Sequence, residues 1–263
     1  MANVGYPHDR RLLTAFRAYW VATKRPLQML VLLLPLVIAY ELGLALVLRS
    51  EEGVLTNKAH ETLLETFDHL GVPAVSGLYL GGIVIVVVMF VWHVLNRDPW
   101  KISATTAGFM AAEALVLTVP LLVLGLLISR RELPAAAAPQ IQLAELGLWS
   151  KMAISIGAGL YEELLFRMVL IALVHTLLVD LARLPDTAGT ALAVLLSAAA
   201  FTIYHPLGDE MGVVSVGKVI FYAMAGLYFG AIYVLRGFGI VVVVHALYDI
   251  LTLSMLSASP SGP

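Results

Sequence analysis

The chain has 263 residues, 60% of them hydrophobic and 13% charged, where an ordinary soluble domain has about 45–50% and about 25%. With a mean hydropathy of +0.91, this excludes a soluble globular enzyme and a disordered chain, since a water-facing surface cannot be made from so few polar groups. The net charge of −2, from 16 basic and 18 acidic residues, offers no footprint for nucleic acid; the absence of cysteine removes disulfides, thiolate catalysis and cysteine-based metal sites.

In chain order, residues 1–27 form a basic arm, with Arg10, Arg11, Arg17, Lys24 and Arg25 against Asp9. The arm is too long and too charged for the short leader of a cleaved signal peptide, and no small-residue cleavage site follows. The expectation is an uncleaved signal anchor with its arm in the cytoplasm. A membrane-crossing helix needs about 20 apolar residues. Such runs lie at 28–48, 76–95, 104–129, 147–179, 187–205, 214–235 and 238–257. The 147–179 run would measure roughly 50 Å as one helix, beyond a hydrocarbon core of about 30 Å. It is therefore expected to tilt, to bend near Gly157 and Gly159, or to split in two. The fold class is all-α: a polytopic helical membrane protein with seven or eight transmembrane helices, embedded in a lipid bilayer.

The expected organisation is N-terminal transmembrane helices over 28–130, a linker at 131–146, a C-terminal helical domain at 147–257 and a tail at 258–263. The acidic, helix-like stretch 49–75 within the first part reads as an external loop or surface helix. With the N-terminus inside and seven spans, nine Lys and Arg fall inside, six outside, and Arg167 within the membrane, a modest positive-inside bias.

A charged side chain at the bilayer centre costs about 2.5–3.5 kcal/mol, so those present are functional candidates by default. Six lie within the spans: Glu41, Glu113, Glu162, Glu163, Arg167 and Asp249. Glu41 and Glu113 stand alone and read as protonated acids making interhelical hydrogen bonds, and His93 and His175 lie near segment ends as interfacial imidazoles. The C-terminal part differs. Glu163 and Arg167 form an i,i+4 pair in the favourable acid-first order, while Glu162, about 100° around the helix, has no local partner. Phe201 and His205 sit one turn apart at a helix end before Pro206, and His245 and Asp249 share one face of the last span.

EExxxR at 162–167, FxxxH at 201–205 and HxxxD at 245–249 resemble the CPBP family, the CAAX proteases and bacteriocin-processing enzymes also called Abi or type II CAAX prenyl endopeptidases. The resemblance covers roughly residues 147–257; the N-terminal spans carry nothing that matches. It implies a metal-independent, cofactor-free intramembrane endopeptidase acting on membrane-anchored proteins or peptides. In it, Glu162 and His205 activate water, and His245 and Asp249 line the oxyanion site. Glu163, Arg167 and Phe201 take supporting places.

The family accepts Asn or Asp at the last of these positions, and an ionised Asp249 can only accept hydrogen bonds. Either it is protonated and donates, or it orients His245, which then donates; the second is the working hypothesis. Zinc held by His205, His245 and a glutamate is the main rival mechanism, although no HExxH occurs. The presenilin-like elements Tyr248-Asp249 and Gly208-Asp209 stand in reversed order, and no rhomboid-type GxSG is present. A transporter would predict inverted repeats, and none is found. A non-catalytic scaffold or immunity protein on the same fold is the alternative function. The short loops suggest a prokaryotic membrane. One geometric condition remains: His205 ends its segment while His245 lies early in a parallel one, so a shared site requires stagger, tilt or a broken helix near Pro206.

Overall fold

The computed structural model describes residues 7–50, 53–72, 79–129, 146–208 and 212–258. The linker expected at 131–146, except its last residue, lies outside them, as do Asp209 and residues 259–263 of the tail. Among the described residues the helices are α1 (Pro7–Ala22), α2 (Pro26–Leu46), α3 (Lys58–His69), α4 (Leu80–Asn96), α5 (Ala104–Ser129), α6 (Leu148–Leu181), α7 (Asp186–Tyr204), α8 (Val216–Arg236) and α9 (Phe238–Ala258). The strand pairing with named elements is a short antiparallel hairpin between α2 and α3, β1 (Arg49–Ser50) with β2 (Gly53–Val54).

Helices α2, α5, α6, α7 and α8 are long and apolar enough to cross a membrane, and α4 and the Phe238–Ser254 part of α9 are shorter apolar helices. The chain is an all-α polytopic membrane protein. Local chemistry sets the ends. Pro26 occupies the first turn of α2, where its missing N–H costs nothing. Asn57 caps α3, its side chain accepting from the His60 amide at 2.9 Å, and Ser215 caps α8 through the Lys218 amide. Gly237, at φ 91°, makes the tight turn from α8 into α9.

Helix α9 runs through the middle of the bundle. Phe238, Ile240, Val241, Val242 and Val244 are all fully buried, with α6 as the most extensive partner and α5, α8 and α2 around it. Large apolar side chains such as Leu95, Val116, Leu126 and Ile203 face outward, as a lipid-facing surface requires.

The long run beginning at Leu148 is one continuous helix of 34 residues. It does not break at its glycines; it widens into π-helical turns at Leu164–Ile171 and Thr176–Leu181. Gly157 and Gly159 instead permit close approach. A Cβ on Gly159 would stand 2.8 Å from the Val242 carbonyl oxygen and 2.9 Å from the Ala246 amide, and one on Gly157 would meet Tyr40 and Asn57. Gly159→Ala is therefore expected to lower stability by about 1–3 kcal/mol, measured by thermal unfolding in detergent. The clash is with the α9 backbone, which no rotamer change relieves.

Glu113 is not the lone protonated acid expected. Arg236, at the end of α8, forks onto it, with Nη2 donating at 2.7 Å, and the Tyr19 hydroxyl of α1 donates at 2.6 Å. The Arg236 guanidinium also lies 3.7 Å from the ring centroid of Trp20. Burial, and then the carboxylate it donates to, push the Tyr19 phenol up to about 12, so it stays a donor and ties α1 to the bundle. Glu41 packs against Gly82 of α4. His93 is fully buried with its ring edge-on to Trp100, and His175 joins α6 to the start of α7 through Asp186 at 3.0 Å.

Candidate active site

The two adjacent glutamates of α6 end its α-helical stretch, immediately before the π-helical turns begin. π-Helical turns inside α-helices occur frequently at functional sites. Glu163 is fully buried and accepts two charge-assisted bonds on one oxygen, from Arg167 Nη1 at 3.0 Å and from His245 Nδ1 at 2.7 Å. Arg167 is itself fully buried. Its Nη2 donates to the Gly226 carbonyl at 3.4 Å, and its guanidinium lies over the rings of Phe201, at 4.3 Å, and Phe229, at 5.1 Å. A cation removed from water is tolerated only with partners of this kind, a carboxylate, a carbonyl and aromatic faces.

That arrangement orients the His245 imidazole. With Nδ1 held by the ion-paired Glu163, His245 presents Nε2 at 3.9 Å from Glu162 Oε2 and 3.6 Å from Asp249 Oδ2. Its ring stacks on Phe229 at 4.7 Å. Asp249 therefore meets the opposite nitrogen from the one that is anchored. Glu163 holds Nδ1, and one turn along α9 carries the Asp249 carboxylate to the cavity side of the ring.

His205 follows the last residue of α7, in extended conformation (φ −84°, ψ 153°), as a residue before proline prefers. Its Nδ1 donates to the Phe201 carbonyl at 2.8 Å, so the ring folds back over its own last turn, stacked on Tyr222 at 4.2 Å. Nε2 then lies 3.6 Å from Glu162 Oε2. This resolves the depth mismatch. Tyr222 and Phe229, which back the two histidines, are two turns apart on α8, roughly 10 Å along its axis, yet both Nε2 atoms reach the same carboxylate oxygen. A carbonyl and an ion-paired carboxylate can only accept, so both rings carry hydrogen on Nδ1 and turn Nε2 inward.

Glu162, His205, His245, Asp249 and Phe201 all line one cavity of about 340 Å³, together with Tyr222, Phe229 and Tyr248. Glu163 and Arg167 stand behind it. Among the described residues no group of three or more His, Asp or Glu side chains is placed to hold a metal ion. Sequence reasoning missed the aromatic backing of α8, Tyr222 and Phe229. Their seven-residue spacing marks one helix face, but in so apolar a segment that face has no contrast. It also missed Thr56, Asn57 and Lys58, which line the same cavity from the stretch before and into α3.

The polytopic helical bundle thus brings two carboxylates and two histidines together on one cavity. Residues 144–251 match the family model described as "Type II CAAX prenyl endopeptidase Rce1-like", a finding consistent with the CPBP family and supporting a protease that works in the membrane. Comparisons with curated proteins and with solved structures gave no match.

Proposed function

We propose that the protein is an intramembrane endopeptidase of the glutamic type, hydrolysing peptide bonds of membrane-associated proteins or peptides. The observation that carries this reading is the placement of one carboxylate oxygen of Glu162 at 3.6 and 3.9 Å from the Nε2 atoms of His205 and His245, inside a single cavity. These gaps are too long for direct hydrogen bonds and suit a bridging water. In the proposed reaction Glu162, assisted by His205, takes a proton from that water as its oxygen bonds to the scissile carbonyl carbon. The developing oxyanion is met by His245, donating from Nε2 when protonated. The C–N bond then breaks and the proton held by Glu162 passes to the leaving amine. Residues 147–257 would form the catalytic domain, with the basic arm on the cytoplasmic side of a prokaryotic membrane.

The test is cleavage of membrane-anchored candidate substrates by reconstituted wild type and Glu162→Ala. Equal processing by both would overturn the assignment, and processing by neither above background would favour a non-catalytic scaffold or immunity protein. Since Glu163 already orients His245, Asp249→Asn is expected to retain activity within about tenfold. The amide still fills the site beside Nε2 and can both donate and accept. A loss of about a thousandfold or more in kcat would show instead that the negative charge at 249 is required.

A further inference from the structure

The stretch Thr56–His60, at the start of α3, lies outside residues 144–251, yet it is bound to the residue immediately preceding each member of the proposed water-activating pair. Lys58 Nζ donates to the Tyr204 carbonyl at 3.1 Å, and stands 4.5 Å from the Tyr204 ring centroid. That carbonyl belongs to the peptide unit leading into His205. The His60 ring stacks flat on Tyr161 at 4.4 Å, nearly parallel at 3°, and Tyr161 precedes Glu162. The strap is itself clamped from below. Tyr40 of α2 shares a hydrogen bond with His60 Nδ1 at 2.8 Å, receives a long one from Asn57 Nδ2 at 3.5 Å, and packs against Tyr161 at 5.4 Å. Gly157 supplies the room, since a Cβ there would strike both Tyr40 and Asn57.

We propose that Lys58 and His60 are positioning residues for the peptidase reaction: the strap pins the backbone entering His205 and the aromatic ring beside Glu162, fixing the distance between them. This rests on the proposed function but assigns part of the machinery to the N-terminal half of the chain. The His205 amide still donates to the Thr202 carbonyl at 3.3 Å, but the Tyr204 carbonyl lies in the last turn, where no intrahelical N–H reaches it, so an external donor there has a direct geometric consequence. Small misplacements of reacting groups are costly, up to about a hundredfold for 1 Å.

The experiment compares reconstituted wild type, Lys58→Met, Lys58→Arg and His60→Phe on a cleavable membrane-anchored substrate, with Lys101→Met as a surface control. In parallel, the rate of His205 modification by diethyl pyrocarbonate is followed by mass spectrometry. Expected is a fall in kcat of about ten- to a hundredfold for Lys58→Met, with KM little changed, recovery in Lys58→Arg, and a severalfold faster modification of His205. His60→Phe keeps the stack but loses the Tyr40 bond, and should fall between. Wild-type kcat together with unchanged His205 reactivity in Lys58→Met overturns the proposal. So does a rise in KM confined to substrates with a free C-terminal carboxylate, which would make Lys58 a substrate-binding residue. The modification assay needs no turnover. If wild type and Glu162→Ala process substrate equally while Lys58→Met still releases His205, it is the peptidase reading that has failed, and the strap's hold on His205 stands.

Discussion

Glu162→Gln is expected to reduce peptide-bond cleavage by about 10²–10⁴-fold while leaving the fold intact. The side chain is buried, at 7% exposure, and its Oε2 has no hydrogen-bond partner among the described residues. Its neighbours at 3.6 and 3.9 Å are imidazole nitrogens whose other nitrogens are already engaged. An amide of the same size fills the same space but cannot take a proton from water at neutral pH. The loss should therefore appear in kcat, with KM little changed and the unfolding midpoint the same as wild type or slightly higher. Single-turnover cleavage in proteoliposomes, paired with thermal unfolding, separates these outcomes. A variant that keeps more than a tenth of wild-type kcat would sink the glutamate mechanism.

Arg167→Met should have the largest effect on stability, about 3–5 kcal/mol. The substitution leaves Glu163 fully buried with His245 as its remaining hydrogen-bond partner among the described residues, and removes the cation from the faces of Phe201 and Phe229. Breaking one side of a buried pair costs more than the pair contributes, because the surviving charge has no water to turn to. The double variant Glu163→Gln/Arg167→Met should regain a large part of the loss. Thermal unfolding of the three variants checks this, and equal midpoints for single and double would refute it. Activity should not return with stability, because Glu163 also holds Nδ1 of His245, and an amide at 163 can present either end to that nitrogen.

The membrane class was legible because the signal is compositional. With so few charged residues, apolar runs of about 20 residues are visible without any knowledge of contacts. The helical runs of the C-terminal part, the pairing of Glu163 with Arg167, and the resemblance through EExxxR, FxxxH and HxxxD rest on short-range spacing, which one helix turn carries. Glu113 shows where that reasoning stopped. Its partners Tyr19 and Arg236 lie 94 and 123 residues away in sequence, and local spacing cannot pair groups so far apart. For the same reason, spacing could leave a bend at the α6 glycines only as one of three alternatives, and it could not show that α9 and Tyr40 press closest there.

Sequence alone thus determined the solvent, the helical class and the few ionisable residues worth examining, since each follows from what a segment of about one span must contain to lie in lipid. Tertiary structure alone decided which nitrogen of His245 is anchored, that Glu163 rather than Asp249 anchors it, and that His205 folds back to meet Glu162. It also brought Lys58 to the cavity and His60 against Tyr161. These depend on how α3, α6, α7, α8 and α9 pack, and a buried polar group takes whichever partner that packing brings within about 3 Å.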